Sequence, residues 1–370
     1  MKKKIIWAII IIIVIILVVV GIRNGGDNGK IKIGVLTPLS GPIAIAGEVQ
    51  KNALAMAQKD NPNAKIELIY EDSKYDPKTS VSGYEVLKMK GAKIIIADGS
   101  PVVAAIREKA VQDGIMVFAQ SATTPAFTDN SSLTCRIGLT ADVLGGSISE
   151  YVDGILKYKN IAIMSANNEY GVTMRDEIKK SFEPLGGTVV TTETYDQASG
   201  DLRTNITRLV ENQKNIDALI VTNNITPESM FKQLKELGWT KPIVSDAWTI
   251  TSPNMKDRTV ASGVPFIDYA YTPQANLDTN PAAANYAKSY EAQFKGSPIL
   301  LGALTYDSYN ILSKAINEVG GSPQKIAEYI PKMDDFAGIT GTVTFDSSCQ
   351  NINKKLVWRK VNVDGTFANL

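Results

Sequence analysis

Hydroxyl side chains follow two neighbouring apolar runs of this chain, at the points where strands are expected to end. The run 93–97 (KIIIA) is followed by Ser100, and the run 115–119 (IMVFA) is followed by Ser121 and Thr123. Both runs are too short for helices and rich in β-branched residues, which favours strands. Hydroxyls and the free N–H groups at a helix start donate hydrogen bonds to a carboxylate. These residues are therefore candidates for contact with a ligand.

The segment between the two runs predicts how these hydroxyls are brought together. Residues 102–112 have the apolar spacing of a helix, and Gly114 follows them as a typical helix end. Two strands joined through a helix are expected to lie parallel, in a right-handed crossover. The carboxyl ends of both strands then lie at one edge of a sheet, where ligands of open α/β sheets bind.

The same alternation of strand and helix recurs along most of the chain, which predicts an α/β protein. Its length of 370 residues exceeds what one hydrophobic core usually serves, so two lobes are expected. Further strands are predicted at 31–36, 66–70, 160–164, 189–192, 216–221 and 242–244. The segments 338–345 (GITGTVTF) and 355–363 (KLVWRKVNV) are predicted to form a terminal pair of strands.

Composition argues against several classes of function. Hydrophobic residues make up 44% and charged residues 21% of the chain, as in ordinary globular proteins. After residue 23 the chain holds 35 basic and 38 acidic residues, which gives no electrostatic case for nucleic acid. It contains no histidine, so the commonest general base and zinc ligand are missing. It also lacks G-x-S-x-G, P-loop and G-x-G-x-x-G motifs, so we expect no catalysis, no cofactor and no metal.

The N-terminus has the features of a membrane segment. After Lys2, Lys3 and Lys4, residues 5–22 are almost all apolar, and as a helix they would span about 27 Å, close to a bilayer core. The lysines place residues 1–4 in the cytoplasm. A cleaved signal peptide is the alternative, but the run is long for one and no A-x-A cleavage site follows it. We expect a retained anchor and a flexible linker at 23–30 (RNGGDNGK).

Several motifs occur in an order that resembles the branched-chain amino-acid-binding receptors of ABC importers, the type I periplasmic binding proteins. They are IKIGVLTPLSGPIAIAG (31–47), YEDSKYDP (70–77), IIIADGSPVVAA (94–105), ATTPAFTD (122–129), NNEYG (167–171), TYDSYNIL (305–312) and GTVTFD (341–346). The resemblance covers about residues 31–370 and implies two Rossmann-like lobes joined by three hinge crossings. The implied crossings are near 135–137, 263–267 and 345–349. Lobe 1 would comprise 31–136 and 265–345, and lobe 2 would comprise 137–264 and 346–370.

The resemblance also implies which residues hold the ligand. In such receptors, hydroxyls and backbone amides of lobe 1 hold the α-carboxylate, and Ser100 and Thr123 occupy the matching motif positions. The carbonyl that helps to bind the ammonium falls on Ser121. From lobe 2, Tyr170 and the strand-end acid Asp246 would close over the ligand. The remaining implied lining residues are Asn223, Asn224 and Tyr306.

Several of these residues also have a plain structural alternative. Ser100 could cap its helix, with Pro101 at the first helical position. Thr123 could form a local turn. Tyr170 could fix a surface turn, and Tyr306 could be part of the core.

The resemblance implies an extracytoplasmic receptor that captures an amino acid or similar small zwitterion and delivers it to an ABC permease in the membrane. Two departures from the family, Ala46 in place of an aromatic residue and no aromatic residue at 223–224, indicate a roomier or more polar pocket. One alternative is a ligand-sensing ectodomain that signals through a partner membrane protein. The other is a receptor for a carboxylate or amide without an amine.

The two cysteines, Cys135 and Cys349, are too far apart in sequence for a CxxC metal or redox motif. The resemblance puts Cys135 at the first crossing and Cys349 just after the third, so the hinge could join them in a disulfide. Two separate buried thiols are the alternative.

Cell fractionation tests the retained anchor. If residues 5–22 stay on the mature protein, it should remain with the membrane fraction through a high-salt wash, because an apolar helix in a bilayer is not held by charge. A mature N-terminus near Gly25, found by mass spectrometry, would show a cleaved signal peptide instead.

Overall fold

The structure, a computed structural model, describes most of the chain from residue 29 onwards. The described residues are 29–41, 43–124, 127, 133–196, 199–222, 228–245, 266–270, 280–296, 300–352, 357–361 and 367–369. The predicted membrane segment at 5–22 lies outside them, as do Asn223, Asn224 and Asp246. Within the described part of the chain, no helix has both the length and the apolar character needed to cross a bilayer.

The first sheet is built from five short parallel strands in the order β2-β1-β3-β4-β5. Their bounds are Ile31–Thr37 (β1), Ile66–Asp72 (β2), Ile94–Ala97 (β3), Met116–Ala119 (β4) and Thr134–Arg136 (β5). The pairing of β3 with β4 confirms the predicted parallel arrangement and sets Ala97 opposite Ala119. The strand ends that precede Ser100 and Ser121 are therefore neighbours at the carboxyl edge.

Three helices follow the first strands, with bounds Ala44–Asp60 (α1), Pro77–Met89 (α2) and Ser100–Gln112 (α3). Asp76 starts α2 because its Oδ1 accepts the N–H of Thr79 at 2.7 Å, while Pro77 opens the helix. Gly114 follows α3 with a φ of +67°, a left-handed conformation that glycine adopts without strain. The start of α2 at Asp76 and Pro77 and the end of α3 at Gly114 were both predicted from the sequence.

The side chains of the first sheet alternate between two cores. Ile33 and Ile94 face the core that α1 shares with a later helix, whereas Leu36 and Ile95 face α2 and α3. Because both faces are covered, the strands have almost no exposed positions, as expected for a parallel sheet.

A second sheet has the strand order β14-β13-β10-β9-β8-β6-β7 in the described part of the chain. Its strands are Asn160–Ala166 (β6), Thr188–Tyr195 (β7), Ala218–Thr222 (β8), Ile243–Ser245 (β9), Phe266–Ala270 (β10), Val357–Val361 (β13) and Phe367–Asn369 (β14). The helices of this region are Ala141–Glu150 (α4), Glu169–Phe182 (α5), Arg203–Asn212 (α6) and Glu228–Glu236 (α7). A π-helical turn at Tyr151–Ile155 continues α4. The parallel strands β6–β9 confirm the predicted second round of alternation.

The C-terminal region differs from the prediction in two places. The predicted terminal pair of strands is wrong, because Phe336–Gly338 (β11) and Gly341–Val343 (β12) form their own hairpin while β13 pairs with β10 and β14. β10 also pairs with β9, so the second sheet extends past the lobe boundary expected at residue 265. The remaining helices are Pro281–Phe294 (α8), Leu300–Val319 (α9) and Pro323–Tyr329 (α10).

The first and third crossings run side by side and are covalently joined. Cys135, in β5, forms a disulfide with Cys349, and their Cα atoms are 4.7 Å apart. The N–H of Arg136 donates to the carbonyl of Cys349 at 2.9 Å, and the N–H of Asn351 donates to the carbonyl of Arg136 at 3.0 Å. The bond implied by the resemblance is therefore present, embedded in a short backbone pairing.

The disulfide should contribute strongly to stability because it closes a long loop of the unfolded chain. Replacing Cys135 and Cys349 together by serine should lower the free energy of unfolding by about 4 kcal/mol, measured by urea denaturation. Reductant should destabilise the wild type and leave the double variant unchanged. Equal urea midpoints for wild type and variant would contradict this expectation.

Candidate functional site

Ser100 and Thr123 meet at the carboxyl edge of the first sheet. The Ser100 hydroxyl accepts the backbone N–H of Thr123 at 3.0 Å, and the two hydroxyl oxygens are 3.3 Å apart. Ser100 is 1% exposed and Thr123 is 2% exposed. The structure thus brings together the two hydroxyls that the family resemblance implies as carboxylate ligands.

The capping alternative for Ser100 is wrong. Ser100 is the first residue of α3, and Gly99 is the capping residue, without a side-chain bond to the helix. Gly99 has a φ of +83°, and a Cβ there would lie 2.2 Å from the ring of Tyr75. Only glycine fits this turn, because both the backbone conformation and the close ring exclude a side chain. The N–H groups at the start of α3 are left without a side-chain cap.

Ser121 contacts an acid that the sequence reading did not single out. Its hydroxyl donates to the carboxylate of Asp98, which lies at the end of β3 and is 3% exposed. Burial raises the pKa of Asp98 to about 6, although hydrogen bonds from Ser121, the Gly99 N–H and Gln50 favour its charged form. Strand alternation carried a signal, since Asp98 follows Ile94 and Ile96 on the same buried face.

Arg136 is a second residue that sequence reasoning missed. Its guanidinium is fully buried and donates from Nη1 to the carbonyls of Ala122 at 3.2 Å and Thr124 at 2.6 Å. From Nη2 it donates to the side chain of Gln350, beyond the third crossing. One side chain therefore holds the loop around Thr123 and ties it to the crossings. A lone arginine within an apolar stretch was the available signal.

Lobe 2 presents the start of α5 to this loop. Asn168 caps α5 by accepting the N–H of Gly171 at 2.9 Å, and Tyr170 in the first turn is fully buried. The alternative of a surface tyrosine is therefore wrong. The hydroxyl of Thr124 donates to Glu169 at 3.4 Å, so the two lobes touch beside the Ser100–Thr123 pair.

Of the remaining predicted residues, Tyr306 lies elsewhere in the structure, and three lie outside the described residues. Asn223, Asn224 and Asp246 stay predictions, and the strand ends that lead to them, Thr222 and Ser245, are buried. Tyr306 lies on α9, with its ring centre 4.9 Å from that of Tyr286 and tilted against it, and its hydroxyl donates to Asp60 at 2.8 Å. Its described contacts are thus with α1 and α8, in the helical layer of lobe 1.

A cleft of about 720 Å³ opens between the lobes beside α3 and α5. Its lobe 1 wall includes Tyr75 and Pro101, and its lobe 2 wall includes Asn168 and Glu169. A volume of this size suits a small molecule, although the residues that line this cleft do not include Ser100, Ser121 or Thr123. Among the described residues, no group of three or more acidic or cysteine side chains is placed to hold a metal ion.

Asp72 joins two loops at the carboxyl edge of the first sheet. Its Oδ1 accepts the N–H groups of Leu39 and Lys74, both at 2.8 Å, and its Oδ2 accepts the hydroxyl of Ser40 at 2.6 Å. Burial opposes the charged form, but these bonds lower the pKa of Asp72 below its usual value. Asp72 therefore fastens the loop after β1 to the loop after β2, at the edge where the ligand is expected.

Arg136 should be needed for stability beyond its charge. Arg136→Met keeps the length of the side chain but leaves the carbonyls of Ala122 and Thr124 without their donor, so the free energy of unfolding should fall by about 3 kcal/mol. Urea denaturation measures this, with the exposed Arg203→Met as matched control and an expected change within about 0.5 kcal/mol. Similar losses in both variants would show that Arg136 does not hold the loop.

Comparison with known proteins agrees with this architecture. A leucine-, isoleucine-, valine-, threonine- and alanine-binding protein from Pseudomonas aeruginosa is 22% identical over 330 residues, covering 85% of this chain and 86% of that protein. A leucine-binding protein from Thermotoga maritima has the same fold, with a TM-score of 0.82 at 21% identity over 92% of this chain and 97% of the other. A solute-binding protein of an ABC transporter from R. palustris, in complex with benzoate, also gives 0.82, at 18% identity over 92% and 96%.

The family model described as periplasmic binding protein matches residues 30–366, which is nearly the whole region that carries the two sheets. The proteins of this family bind solutes and are not enzymes. The chain therefore belongs to the periplasmic binding protein family, as a solute-binding α/β protein.

Proposed function

We propose that the protein captures an amino acid or a similar small zwitterion between its two lobes and delivers it to an ABC permease. The observation that carries this proposal is the buried Ser100–Thr123 pair at the start of α3. Two hydroxyls and a helix start without a side-chain cap offer hydrogen-bond donors and a favourable dipole to a carboxylate. The contact between Thr124 and Glu169 lets both lobes enclose it.

The ligand's ammonium needs an acceptor on the same site. The carbonyl of Ser121 and the carboxylate of Asp246 are the proposed partners, because a buried charge without a partner is very costly. Tyr170, Asn223 and Asn224 would line the lobe 2 side. This assignment rests on the resemblance and on the buried strand ends that lead to 223 and 246.

The proposed setting is the outer face of the cytoplasmic membrane. Periplasmic binding proteins work outside the cytoplasm, and the apolar run at 5–22 would tether this one beside its permease. A ligand-sensing ectodomain that signals through a partner membrane protein is the alternative.

The relatives favour one second ligand class, a carboxylate without an amine. The R. palustris protein was solved with benzoate, whereas the P. aeruginosa protein is named for five amino acids. Ala46, where the family commonly has an aromatic residue, leaves room for either class.

Isothermal titration with amino acids tests the proposal. Ser100→Ala should weaken binding by about 1–3 kcal/mol, because the carboxylate loses one donor. Asp246→Ala should cost about 2–5 kcal/mol by stripping the ammonium of its partner. The exposed helix residue Ser82→Ala is the matched control and should leave affinity unchanged. If Asp246→Ala kept full affinity while Ser100→Ala abolished it, the ligand would be a carboxylate without an amine. Unchanged affinity in both variants would refute the site.

A further inference from the structure

Three adjacent strands of the first sheet each end in a polar side chain on the same face. β3 pairs with β1 on one side and with β4 on the other without a register shift, so Thr37, Asp98 and Gln120 lie side by side. Alternation along the strands places all three on the face that carries Ile96 and Phe118. These three residues are called the polar row below.

Gln50 of α1 lies over the polar row. Its Nε2 donates to Oε1 of Gln120 at 2.5 Å and also to Asp98. None of the four side chains in this group is more than 3% exposed. The hydroxyl of Ser121 reaches Asp98 as well, so the polar row adjoins a residue of the proposed ligand site.

Three buried polar atoms of this group have no hydrogen-bond partner among the residues that the structure describes. They are Thr37 Oγ1, Gln50 Oε1 and Gln120 Nε2. Asp98 fixes which amide atoms are free: Gln50 must turn its NH₂ towards the carboxylate, and Gln120 must then accept from it. Buried polar groups are nearly always paired, so the free Gln120 donor, the free Gln50 acceptor and the Thr37 hydroxyl point to a missing partner.

We propose that the polar row and Gln50 form a subsite for the ligand's side chain, and that this side chain is a primary carboxamide. The proposal rests on the proposed function and names its ligand class. The carboxamide oxygen accepts from Gln120 Nε2, and its NH₂ donates to Gln50 Oε1 and Asp98.

Other side chains match this subsite less well. An alkyl group leaves all the free polar atoms unpaired, which is costly in a buried place. An ammonium or a guanidinium group offers no acceptor to the free Nε2 of Gln120. A carboxylate would be repelled by the negative charge of Asp98. Of these groups, only a carboxamide forms hydrogen bonds with the free Gln50 Oε1, the free Gln120 Nε2 and the carboxylate of Asp98.

The residue one turn before Gln50 on α1 is small. Ala46 precedes Gln50 by one helical turn, so both lie on the same face of α1, and both are buried. In this proposal the ligand's side chain passes the small Ala46 to reach Gln50. A large residue at position 46 would fill this path.

Titration of the full chain in a mild detergent tests the proposal with three probes: L-asparagine, L-glutamine and L-leucine. Leucine has nearly the shape of asparagine but cannot form hydrogen bonds through its side chain. We expect at least one carboxamide to bind at least about 100-fold more tightly than leucine, because a site built for hydrogen bonds rejects an analogue that lacks them. This comparison needs no variant, so it does not depend on how a mutant folds.

Variants show whether the polar row causes the preference. Gln50→Met and Gln120→Leu should reduce the preference for the carboxamide to below about tenfold, with unchanged circular dichroism. Gln58→Met, on the same helix and outside the group, should keep it. Leucine binding as tightly as both carboxamides, or a preference that survives Gln50→Met and Gln120→Leu, would overturn the carboxamide subsite while leaving the proposed function standing. Failure of all three probes to bind would overturn both.

Discussion

Parallel pairing of β1, β3 and β4 without a register shift is the constraint on which the candidate site depends. Because the carboxyl ends of these strands stop at one level, the residues that follow them are neighbours in space although far apart in sequence. Ser100 meets Thr123 for this reason, and Asp98 meets Ser121. A slip of one residue in β3 would turn Asp98 to the opposite face and separate both pairs.

The hinge and the candidate site share one residue. Arg136 stands next to Cys135 in β5, and its guanidinium holds the carbonyls on either side of Thr123. Its bond to Gln350 fixes the same guanidinium to the third crossing. The loop that carries Thr123 is therefore part of the rigid base about which the lobes would move, whereas Glu169 approaches it from the lobe 2 side. In a receptor that closes on its ligand, this arrangement would keep the carboxylate site formed in lobe 1 before closure.

The features that could be predicted from the sequence are those that neighbouring residues decide. Apolar β-branched runs gave β3 and β4, and Asp76 followed by Pro77 gave the start of α2. The partner of a strand is decided by distant residues, so β13 was paired wrongly. The sequence did not decide whether Ser100 caps α3, because the turn at Gly99 packs against the ring of Tyr75, and Tyr75 follows a different strand.

Asp98 and Arg136 could not be predicted as functional candidates from the sequence, because their partners lie far along the chain. Asp98 is understood only beside Ser121 and Gln50, and Arg136 only beside the carbonyls that it holds. In the sequence each is one charged residue in an apolar stretch, with no spacing that indicates a site. The disulfide of Cys135 with Cys349 was implied by the family resemblance and by no local pattern.

Asp98 also restricts what the proposed carboxylate site could accept. It lies two residues before Ser100 and is bonded to Ser121, so an anion held by Ser100 and Thr123 would lie close to a second negative charge in a buried place. A plain carboxylate brings no positive charge to offset this repulsion, whereas a zwitterion carries its own ammonium. Burial raises the pKa of Asp98 to about 6, so the acid is charged at neutral pH and loses its charge below that value. If the proposed site holds the ligand, the electrostatics of lobe 1 would favour a zwitterion over a plain carboxylate at neutral pH, and this preference would weaken as the pH falls below 6.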